Sequence, residues 1–423
     1  MEKNFMNIKI IPQPLKGSIN SISSKSHAHR LMIAAALCSD YCKVNIADMN
    51  QDLEATQNCL LQLMKASPVL DCNESGSTLR FMLPITMALK DKATFLGAGR
   101  LPERPISPLK EEMESHGCTF DTNIELPLEN NKKSKPIFTV SGKLKCGTFN
   151  LAGNVSSQYI TGLLFALPLL RGDSLINITS KLESLGYVML TLEVLKLFGI
   201  NIELKIAANS QIQSERFYSF FIKGSQNYTS PGEVTAEGDW SNAAFWVVAD
   251  ALCSDANCLE PAVSCRNLNF SSAQGDKEIV SFIKTMKASA NSGKNPVFDV
   301  SDVPDLVPIL AVLAASRQGI TEIVNAGRLR IKESDRLSTV CEIIQALGGN
   351  ITERPEGLII HGTGILKGGT VNGHNDHRIV MAAAIASILC TEPVIILGAE
   401  AVDKSYPRFF DDFSYLGGEY HVL

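Results

Sequence analysis

The sequence lacks the features that mark secreted, disulfide-stabilised and membrane-spanning proteins. Its 11 cysteines include no Cys-x-x-Cys pair and are odd in number, which is typical of reduced thiols in the cytosol. Residues 1–11 contain no basic segment followed by an apolar run, and no stretch approaches the roughly 18 uninterrupted apolar residues of a membrane span. These absences predict a cytoplasmic protein with no membrane partner.

A basic excess and the common cofactor motifs are also missing. The formal net charge of −5 argues against nucleic acid as a partner, because proteins that bind it usually carry a basic surface. Gly97-Ala-Gly99 has no third glycine at the dinucleotide spacing and no Walker sequence occurs, so neither NAD nor ATP is implied. His374 and His377 lack a third ligand, so neither a metal nor a cofactor is expected.

What the sequence does contain is a repeat. With 423 residues, 45% of them hydrophobic, the chain is long enough for two globular units. Six segments each join a strand-like run to a polar turn and an alanine-rich helix that is apolar nearly all round and should be buried. The segments begin near Ser18, Val69, Gly147, Val234, Val297 and Gly369, and their helices lie in residues 31–38, 81–89, 160–170, 243–252, 306–315 and 379–387.

A second, amphipathic helix follows in most of these units. It ends in glycine before the next strand, as in residues 192–204 and 340–353, and glycine at that place suits a left-handed helix cap. The spacing between units is irregular and longer than the roughly 20 to 50 residues of a solenoid repeat. Six βα-rich units divided between two domains fit the pattern better.

The polar turns precede buried helices, where free N–H groups and the helix dipole favour anions. Their residues suit phosphate and carboxylate groups, and the six turns are predicted to converge on one cleft. They are Lys25, Ser26 and Arg30; Gly76, Ser77 and Arg80; Ser156, Ser157 and Gln158; Asp305; and Asn375, Asp376, His377 and Arg378.

The pentad Lys332-Glu333-Ser334-Asp335-Arg336 is the most informative stretch. Placed at the start of the apolar run 337–347, it would set Lys332, Glu333 and Arg336 on one face of a helix's first turn. Two cations there could hold an anion beside a carboxylate that moves a proton. The alternative is a capped, salt-bridged surface helix.

Eight short motifs in order resemble the 5-enolpyruvylshikimate-3-phosphate synthase family, the enolpyruvyl transferases of the shikimate pathway. The motifs are Ser24-Lys-Ser-His-Ala-His-Arg30, Glu74-Ser-Gly-Ser-Thr-Leu-Arg80, Pro102-Glu-Arg-Pro-Ile106, Val155-Ser-Ser-Gln158, Pro304-Asp305, Ile331-Lys-Glu-Ser-Asp-Arg336, Asn375-Asp-His-Arg378 and Lys404-Ser-Tyr-Pro407.

The resemblance implies an α/β (α+β) fold of two domains, each built from three βαβαββ units as an inverse α/β barrel. The active site is expected in the interdomain cleft, which closes on the substrates. Crossovers near Ile22 and Ala236 would give one domain of residues 1–22 plus 237–423, which contains both termini, and an inserted domain of residues 23–236. A monomer is expected.

The same resemblance implies a reaction of aromatic amino acid (chorismate) biosynthesis. The enolpyruvyl group of phosphoenolpyruvate passes to the 5-hydroxyl of shikimate 3-phosphate, and phosphate is released. C3 of phosphoenolpyruvate must gain a proton while the hydroxyl loses one, so an acid and a base are required. By resemblance the base is Asp305, Glu333 handles the C3 proton, and Lys25 reaches both substrates.

Binding roles are likewise implied by the resemblance. The residues expected at shikimate 3-phosphate are Lys25, Ser26, Arg30, Ser156, Ser157, Gln158, Ser184, Asp305 and Lys332, with Tyr187 completing the pocket. Those expected at phosphoenolpyruvate are Lys25, Gly76, Arg104, Gln158, Arg336, Arg378 and Lys404. The glycine that matches Gly76 leaves room for phosphoenolpyruvate, and glyphosate competes for that space in the family.

Some positions depart from the common family pattern. Glu74 replaces a frequent asparagine, Ile22-Ser-Ser24 replaces a frequent Pro-Gly-Ser, and Leu185-Gly186 removes an expected cation near Ser184. Local structural roles were the alternatives for several groups: helix capping for Asp305, Ser156 and Ser157, a turn brace for Arg104 and a solvated side chain for Lys404.

Two other functions remain open at this stage. The sister enolpyruvyl transferase acting on UDP-N-acetylglucosamine normally has a reactive cysteine in the loop corresponding to residues 97–106, and this chain has none there. A catalytically silent binding protein would explain the departures at Glu74 and Leu185-Gly186, but it would not need a matched acid and base.

Overall fold

The computed structural model describes residues 6–124, 133–208, 216–254 and 260–423. The chain divides into two compact units, residues 1–24 with 237–423, called the terminal unit below, and residues 25–236, called the inserted unit. Each unit has a hydrophobic core of its own. Within the described ranges, no helix is both long and apolar enough to cross a membrane.

The described helices alternate between buried and amphipathic ones. They are α1 (Lys25–Leu37), α2 (Gln51–Gln62), α3 (Gly76–Leu89), α4 (Leu109–Ser115), α5 (Ser157–Ala166), α6 (Leu185–Leu197), α7 (Trp240–Cys253), α8 (Ile279–Ser292), α9 (Val307–Ala315), α10 (Arg336–Ala346), α11 (His377–Ala386) and α12 (Phe409–Tyr415). All six apolar segments predicted from the repeat lie in helices, namely α1, α3, α5, α7, α9 and α11, and most of their residues are buried.

The strands are short. They are β1 (Ile8–Ile11), β2 (Gly17–Asn20), β3 (Lys43–Asn45), β4 (Val69–Asp71), β5 (Lys92–Gly97), β6 (Thr119–Asp121), β7 (Lys135–Ser141), β8 (Thr148–Leu151), β9 (Ser174–Ile178), β10 (Ile202–Ala208), β11 (Arg216–Ile222), β12 (Glu233–Thr235), β13 (Val263–Arg266), β14 (Val297–Asp299), β15 (Gln318–Val324), β16 (Asn350–Arg354), β17 (Gly357–Thr363), β18 (Gly369–Asn372), β19 (Val394–Leu397) and β20 (Glu419–Val422).

The sheets show why the repeat is sixfold. In the described residues each unit has two four-stranded sheets, β18-β19-β1-β20 and β14-β15-β17-β16 in the terminal unit, and β10-β11-β9-β8 and β4-β5-β7-β6 in the inserted unit. Each also has a two-stranded parallel sheet, β13-β2 or β12-β3. These two pairs join strands from distant parts of the chain, because the chain leaves the terminal unit after β2 and returns to it after β12.

Glycine ends the amphipathic helices as predicted. Gly199 follows the end of α6 with φ of 78°, and Gly348 follows the end of α10 with φ of 84°. Both angles lie in the left-handed region, where a side chain would be strained. The turns let the chain reverse into β10 and β16. Helix α10 packs beside β16, whereas α6 packs against α5 and α1.

Candidate active site

Arg336 lies at the centre of a group of carboxylates in the terminal unit. Its Nη1 donates to Asp305 Oδ1 at 2.7 Å, and its Nη2 donates to Glu333 Oε2 at 2.8 Å. Its Nε and Nη2 contact the two carboxylate oxygens of Asp376 at 2.8 and 3.1 Å. The Arg336 side chain is only 1% exposed. The alternative of a surface helix with exposed salt bridges is therefore wrong.

Asp305 is held by cations rather than used as a cap. It lies in the 3-10 turn Pro304–Leu306, and neither that turn nor α9 has a side-chain cap. Besides Arg336, its carboxylate contacts Lys332 Nζ and Arg378 Nη2, each at 3.4 Å. Burial opposes its charge, but Arg378, Lys332 and Arg336 outweigh burial and hold the pKa of Asp305 well below its ordinary value.

The helix predicted to carry Lys332 and Glu333 in its first turn begins later than expected. The α10 helix starts at Arg336 after the N-cap Asp335, whose side chain accepts from Ser338 N. Lys332 and Glu333 lie in the turn between α10 and the 3-10 helix Gly327–Ile331. The aspartate nearest the apolar run takes the capping position, because its carboxylate satisfies a free N–H. Lys332 and Glu333 nevertheless reach the Arg336 cluster.

Burial lowers the pKa of Lys332, although Asp305 works against that effect. The ammonium group of Lys332 is paired with the carboxylate of Asp305, with 3.4 Å between Lys332 Nζ and Asp305 Oδ1.

Asp376 was predicted as one of the polar-turn residues that suit anions, but no catalytic or binding role was assigned to it. It is the N-cap of α11, where its Oδ1 accepts from Arg378 N at 3.0 Å, and it also accepts from Ser334 Oγ at 2.9 Å. Burial opposes its charge, but Arg336 outweighs it and lowers the pKa of Asp376. The signal in the sequence was the cap position directly before Arg378, which by itself looks like an ordinary helix start.

Lys404 is buried, with 6% exposure. Its Nζ donates to the carbonyl oxygen of Asn375 at 2.6 Å, beside the Asp376 cap. The alternative of a solvated lysine is therefore wrong. This contact brings Lys404 to the turn before α11.

In the inserted unit, Lys25 is the first residue of α1, and its Nζ pairs with Asp52 Oδ2 at 2.8 Å. Arg30 lies one turn further along and is 2% exposed. It donates to the hydroxyls of Thr191 and Thr161 and to the carbonyl oxygens of Ser26 and Tyr187 at 2.6–3.3 Å. Burial lowers the pKa of Arg30 to about 10.

These contacts join several of the residues predicted to bind shikimate 3-phosphate. Tyr187 meets Arg30 through its backbone carbonyl, and Ser26 does so as well. Ser184, the N-cap of α6, has φ of 56° and is buried. A left-handed serine costs energy and is often retained where a side chain must be aimed at a ligand. No sequence signal indicated this conformation.

The turn before α5 combines capping with the predicted binding residues. Ser156 is the N-cap and its Oγ accepts from Gln158 N at 3.3 Å, so the capping alternative holds for Ser156. Ser157 is the first residue of the helix rather than its cap. The Gln158 side chain donates from Nε2 to Ser77 Oγ at 2.8 Å. Candidate groups from α3 and α5 therefore meet in this unit.

Two charged side chains pack closely against glycines, Arg104 against Gly76 and Glu74 against Gly99. A Cβ atom on Gly76 would lie 2.7 Å from Arg104 Nη1, so the guanidinium packs directly against this glycine. A Cβ atom on Gly99 would lie 2.6 Å from Glu74 Oε2, and Gly99 has φ of 56°. The carboxylate of Glu74 thus lies over the turn that leads to Arg104.

Solved structures show the fold of this chain. EPSP synthase from Acinetobacter baumannii matches with a TM-score of 0.75 at 21% identity and covers 99% of this chain and 100% of its own. The enolpyruvyl transferase NikO from Streptomyces tendae matches with a TM-score of 0.72 at 15% identity, covering 99% of both chains. The fold is that of the enolpyruvyl transferases, as the resemblance implied.

Sequence comparison narrows this class to one family. Residues 10–413 match the model of EPSP synthase (3-phosphoshikimate 1-carboxyvinyltransferase). Relatives with the latter name from Clostridium novyi and Clostridium acetobutylicum are each 42% identical, and the matches cover 97% and 98% of this chain and 98% of each relative. The chain belongs to the EPSP synthase family.

Proposed function

We propose that this protein transfers the enolpyruvyl group of phosphoenolpyruvate to the 5-hydroxyl of shikimate 3-phosphate, releasing phosphate. One observation carries the proposal: in a chain of this family, a single buried arginine, Arg336, bonds both Asp305 and Glu333. Two carboxylates held at fixed positions match a reaction that moves one proton onto carbon and another off oxygen.

The proton transfers divide between these two carboxyl groups. Asp305 accepts the proton of the 5-hydroxyl while the hydroxyl oxygen bonds to C2 of phosphoenolpyruvate. Glu333, in its acid form, supplies the proton that C3 gains, which gives a tetrahedral intermediate. Elimination of phosphate then removes a proton from C3, which the carboxylate of Glu333 takes back. The proton that Asp305 accepted leaves with the phosphate, so both groups return to their starting forms. Because Arg336 contacts both groups, their titrations are coupled.

Binding of phosphoenolpyruvate helps to prepare the base. Arg336 and Arg378 both contact Asp305, and both are proposed to hold phosphoenolpyruvate. A polyanion that attracts these guanidinium groups weakens their stabilisation of the Asp305 carboxylate and raises its pKa, which makes Asp305 a better base. Lys25, Arg104 and Gln158 of the inserted unit are proposed to contribute to the same reaction.

The two other functions are less well supported. The relatives that cover nearly the whole chain are named for the shikimate substrate, and residues 97–106 contain no cysteine. A silent binding protein would not need Asp305 and Glu333 on one arginine. A cytoplasmic location is supported by the free thiols among the described residues, and a monomeric state stays a prediction.

The test is phosphate release from phosphoenolpyruvate by the purified protein, with shikimate 3-phosphate and UDP-N-acetylglucosamine as separate acceptors. Release with shikimate 3-phosphate alone is expected. Release only with the sugar nucleotide would replace this function by that of the sister enzyme. Binding of shikimate 3-phosphate by folded protein without any phosphate release would favour the silent binding protein.

A further inference from the structure

Arg80 contacts two parts of the candidate site in the inserted unit. It was predicted only as one of the polar-turn residues that suit anions, and no substrate was assigned to it. It lies in α3 and is 4% exposed. Its Nη1 donates to Gln158 Oε1 at 2.7 Å, and its Nη2 donates to the carbonyl oxygen of Pro105 at 3.0 Å. One guanidinium therefore connects a side chain of α5 with the backbone directly after Arg104.

The contact with Gln158 sets the orientation of its amide. An arginine only donates hydrogen bonds, so the amide oxygen must face Arg80 and the amide NH₂ group must face the other way. That NH₂ group donates to Ser77 Oγ at 2.8 Å. The donor of Gln158 therefore faces the first turn of α3, which also contains Gly76, one of the residues proposed to contact phosphoenolpyruvate.

The contact with Pro105 fixes the segment that carries Arg104. The Pro105 carbonyl oxygen also accepts from Tyr159 Oη at 2.6 Å, and the Arg80 guanidinium lies 5.5 Å from the centre of the Tyr159 ring. Two donors on one carbonyl hold the backbone beside Arg104, whose guanidinium packs against Gly76.

We propose that Arg80 is a positioning residue that sets Gln158 and Arg104 jointly for phosphoenolpyruvate, with Tyr159 as the second anchor of the Arg104 segment. This inference rests on the proposed function. Arg80 acts through the groups it holds, so its loss should weaken the binding of phosphoenolpyruvate more than the rate of the chemical step.

The test uses steady-state kinetics of Arg80→Lys, Tyr159→Phe and the double variant. Lysine keeps the charge but cannot make two parallel donations. We expect Arg80→Lys to raise KM for phosphoenolpyruvate about tenfold and Tyr159→Phe to raise it about threefold, with kcat changed less. The double variant should fall short of the product of the two effects, because both donors act on the Pro105 carbonyl.

Arg317→Lys is the matched control, since Arg317 in the terminal unit donates to the Ile320 carbonyl and the Thr321 hydroxyl. It should leave both KM values unchanged. Wild-type phosphate release with shikimate 3-phosphate, measured first, separates failure of the proposed function from failure of this inference.

An unchanged KM for phosphoenolpyruvate in Tyr159→Phe and Arg80→Lys would overturn the positioning role. If the increase of KM in the double variant equals the product of the two single increases, the two residues do not share an anchor, and that part of the proposal is overturned. If Arg80→Lys does not fold, Tyr159→Phe alone decides by its KM.

Discussion

The two units hold their buried cations in different ways. In the terminal unit, Arg336 is surrounded by Asp305, Glu333 and Asp376. In the inserted unit, Arg30 bonds threonine hydroxyls and backbone carbonyls. Carboxylates beside a cation can exchange protons, whereas a buried cation held by neutral oxygens keeps its charge for an incoming anion. The comparison supports the proposal that proton transfer belongs to the terminal unit, and that Arg30 of the inserted unit serves to capture an anion.

The largest effects should come from removing the carboxylates of the terminal unit. We expect Asp305→Asn and Glu333→Gln each to lower kcat by at least about a hundredfold, because each loses a positioned acid or base. Phosphate release at saturating substrates measures the effect. Glu353→Gln is the control, since Glu353 also pairs with an arginine, Arg330, at 2.7 Å but is a third exposed. Near wild-type turnover in either variant would remove that residue from the proton transfers.

The next effect tests anion capture in the inserted unit. A methyl group on Gly76 would lie 2.7 Å from Arg104 Nη1 and must displace that guanidinium. We expect Gly76→Ala to raise the inhibition constant of glyphosate at least about tenfold, the value of one charge-assisted hydrogen bond. Gly327→Ala is the control, because its nearest contact is an ordinary 3.4 Å to Glu356. An unchanged inhibition constant in Gly76→Ala would contradict the prediction.

A smaller effect, on the affinity for phosphoenolpyruvate, would show that Asp305 influences both proton transfer and anion binding. Asp305→Asn should bind phosphoenolpyruvate about three to ten times more tightly while losing turnover, because Arg336 and Arg378 no longer pair with a carboxylate. Calorimetry in the presence of shikimate 3-phosphate measures this. Asp302→Asn makes the same change of net charge at an exposed position and should have little effect. Weaker binding by Asp305→Asn would show that the arginines do not exchange partners.

The smallest effect is a dependence of stability on pH, which begins at a higher pH for a group of the inserted unit than for groups of the terminal unit. Burial, with Lys25 and Arg30, holds the pKa of His29 in the inserted unit well below its ordinary value. The unfolded chain therefore takes up a proton first as pH falls below about 6.5, and stability drops by about 1.4 kcal/mol per pH unit until the folded pKa is reached. Asp305 and Asp376 of the terminal unit act in the same direction, but only below about pH 4.

Urea unfolding of the wild type and His29→Asn at pH 7.5 and 5.5 measures this difference. The substituted chain should lose less stability between the two pH values. Asn keeps a donor for Thr56 Oγ1, which lies 2.8 Å from His29 Nδ1. Equal losses in both proteins would mean that His29 is protonated as easily in the folded state as in the unfolded one. His361→Asn changes an exposed histidine and serves as the control.

Much of the fold was readable because its signals are local. Six runs of apolar residues, each after a polar turn, were long enough to identify the buried helices, and glycine identified the ends of α6 and α10. The predicted start of α10 was wrong because the whole pentad was placed in the first turn, whereas Asp335 caps the helix and leaves Lys332 and Glu333 before it. The repeat also did not show that two of its six sheets have only two strands in the described residues.

The candidate site was less predictable, because its side chains depend on distant partners. Motifs named Asp305 and Arg336, but their 2.7 Å contact joins residues 31 positions apart. Asp376 and Arg80 were predicted only as turn residues suited to anions. No local pattern reveals the bond of Asp376 to Arg336, which spans 40 positions, or that of Arg80 to Gln158, which spans 78. The left-handed Ser184 had no signal at all, because serine carries no general preference for that conformation.

The sheet β18-β19-β1-β20 has a consequence for how the chain folds while it is being synthesised. Its inner strand β1 precedes the inserted unit in the chain, whereas both of its neighbours, β19 and β20, follow that unit. The terminal unit therefore cannot complete this sheet until β19 and β20 have been synthesised, while the inserted unit is one continuous segment that can fold earlier. During that interval β1 is an unpaired apolar strand. Protection by a chaperone would matter most for this strand, and the growing chain is most exposed to aggregation there.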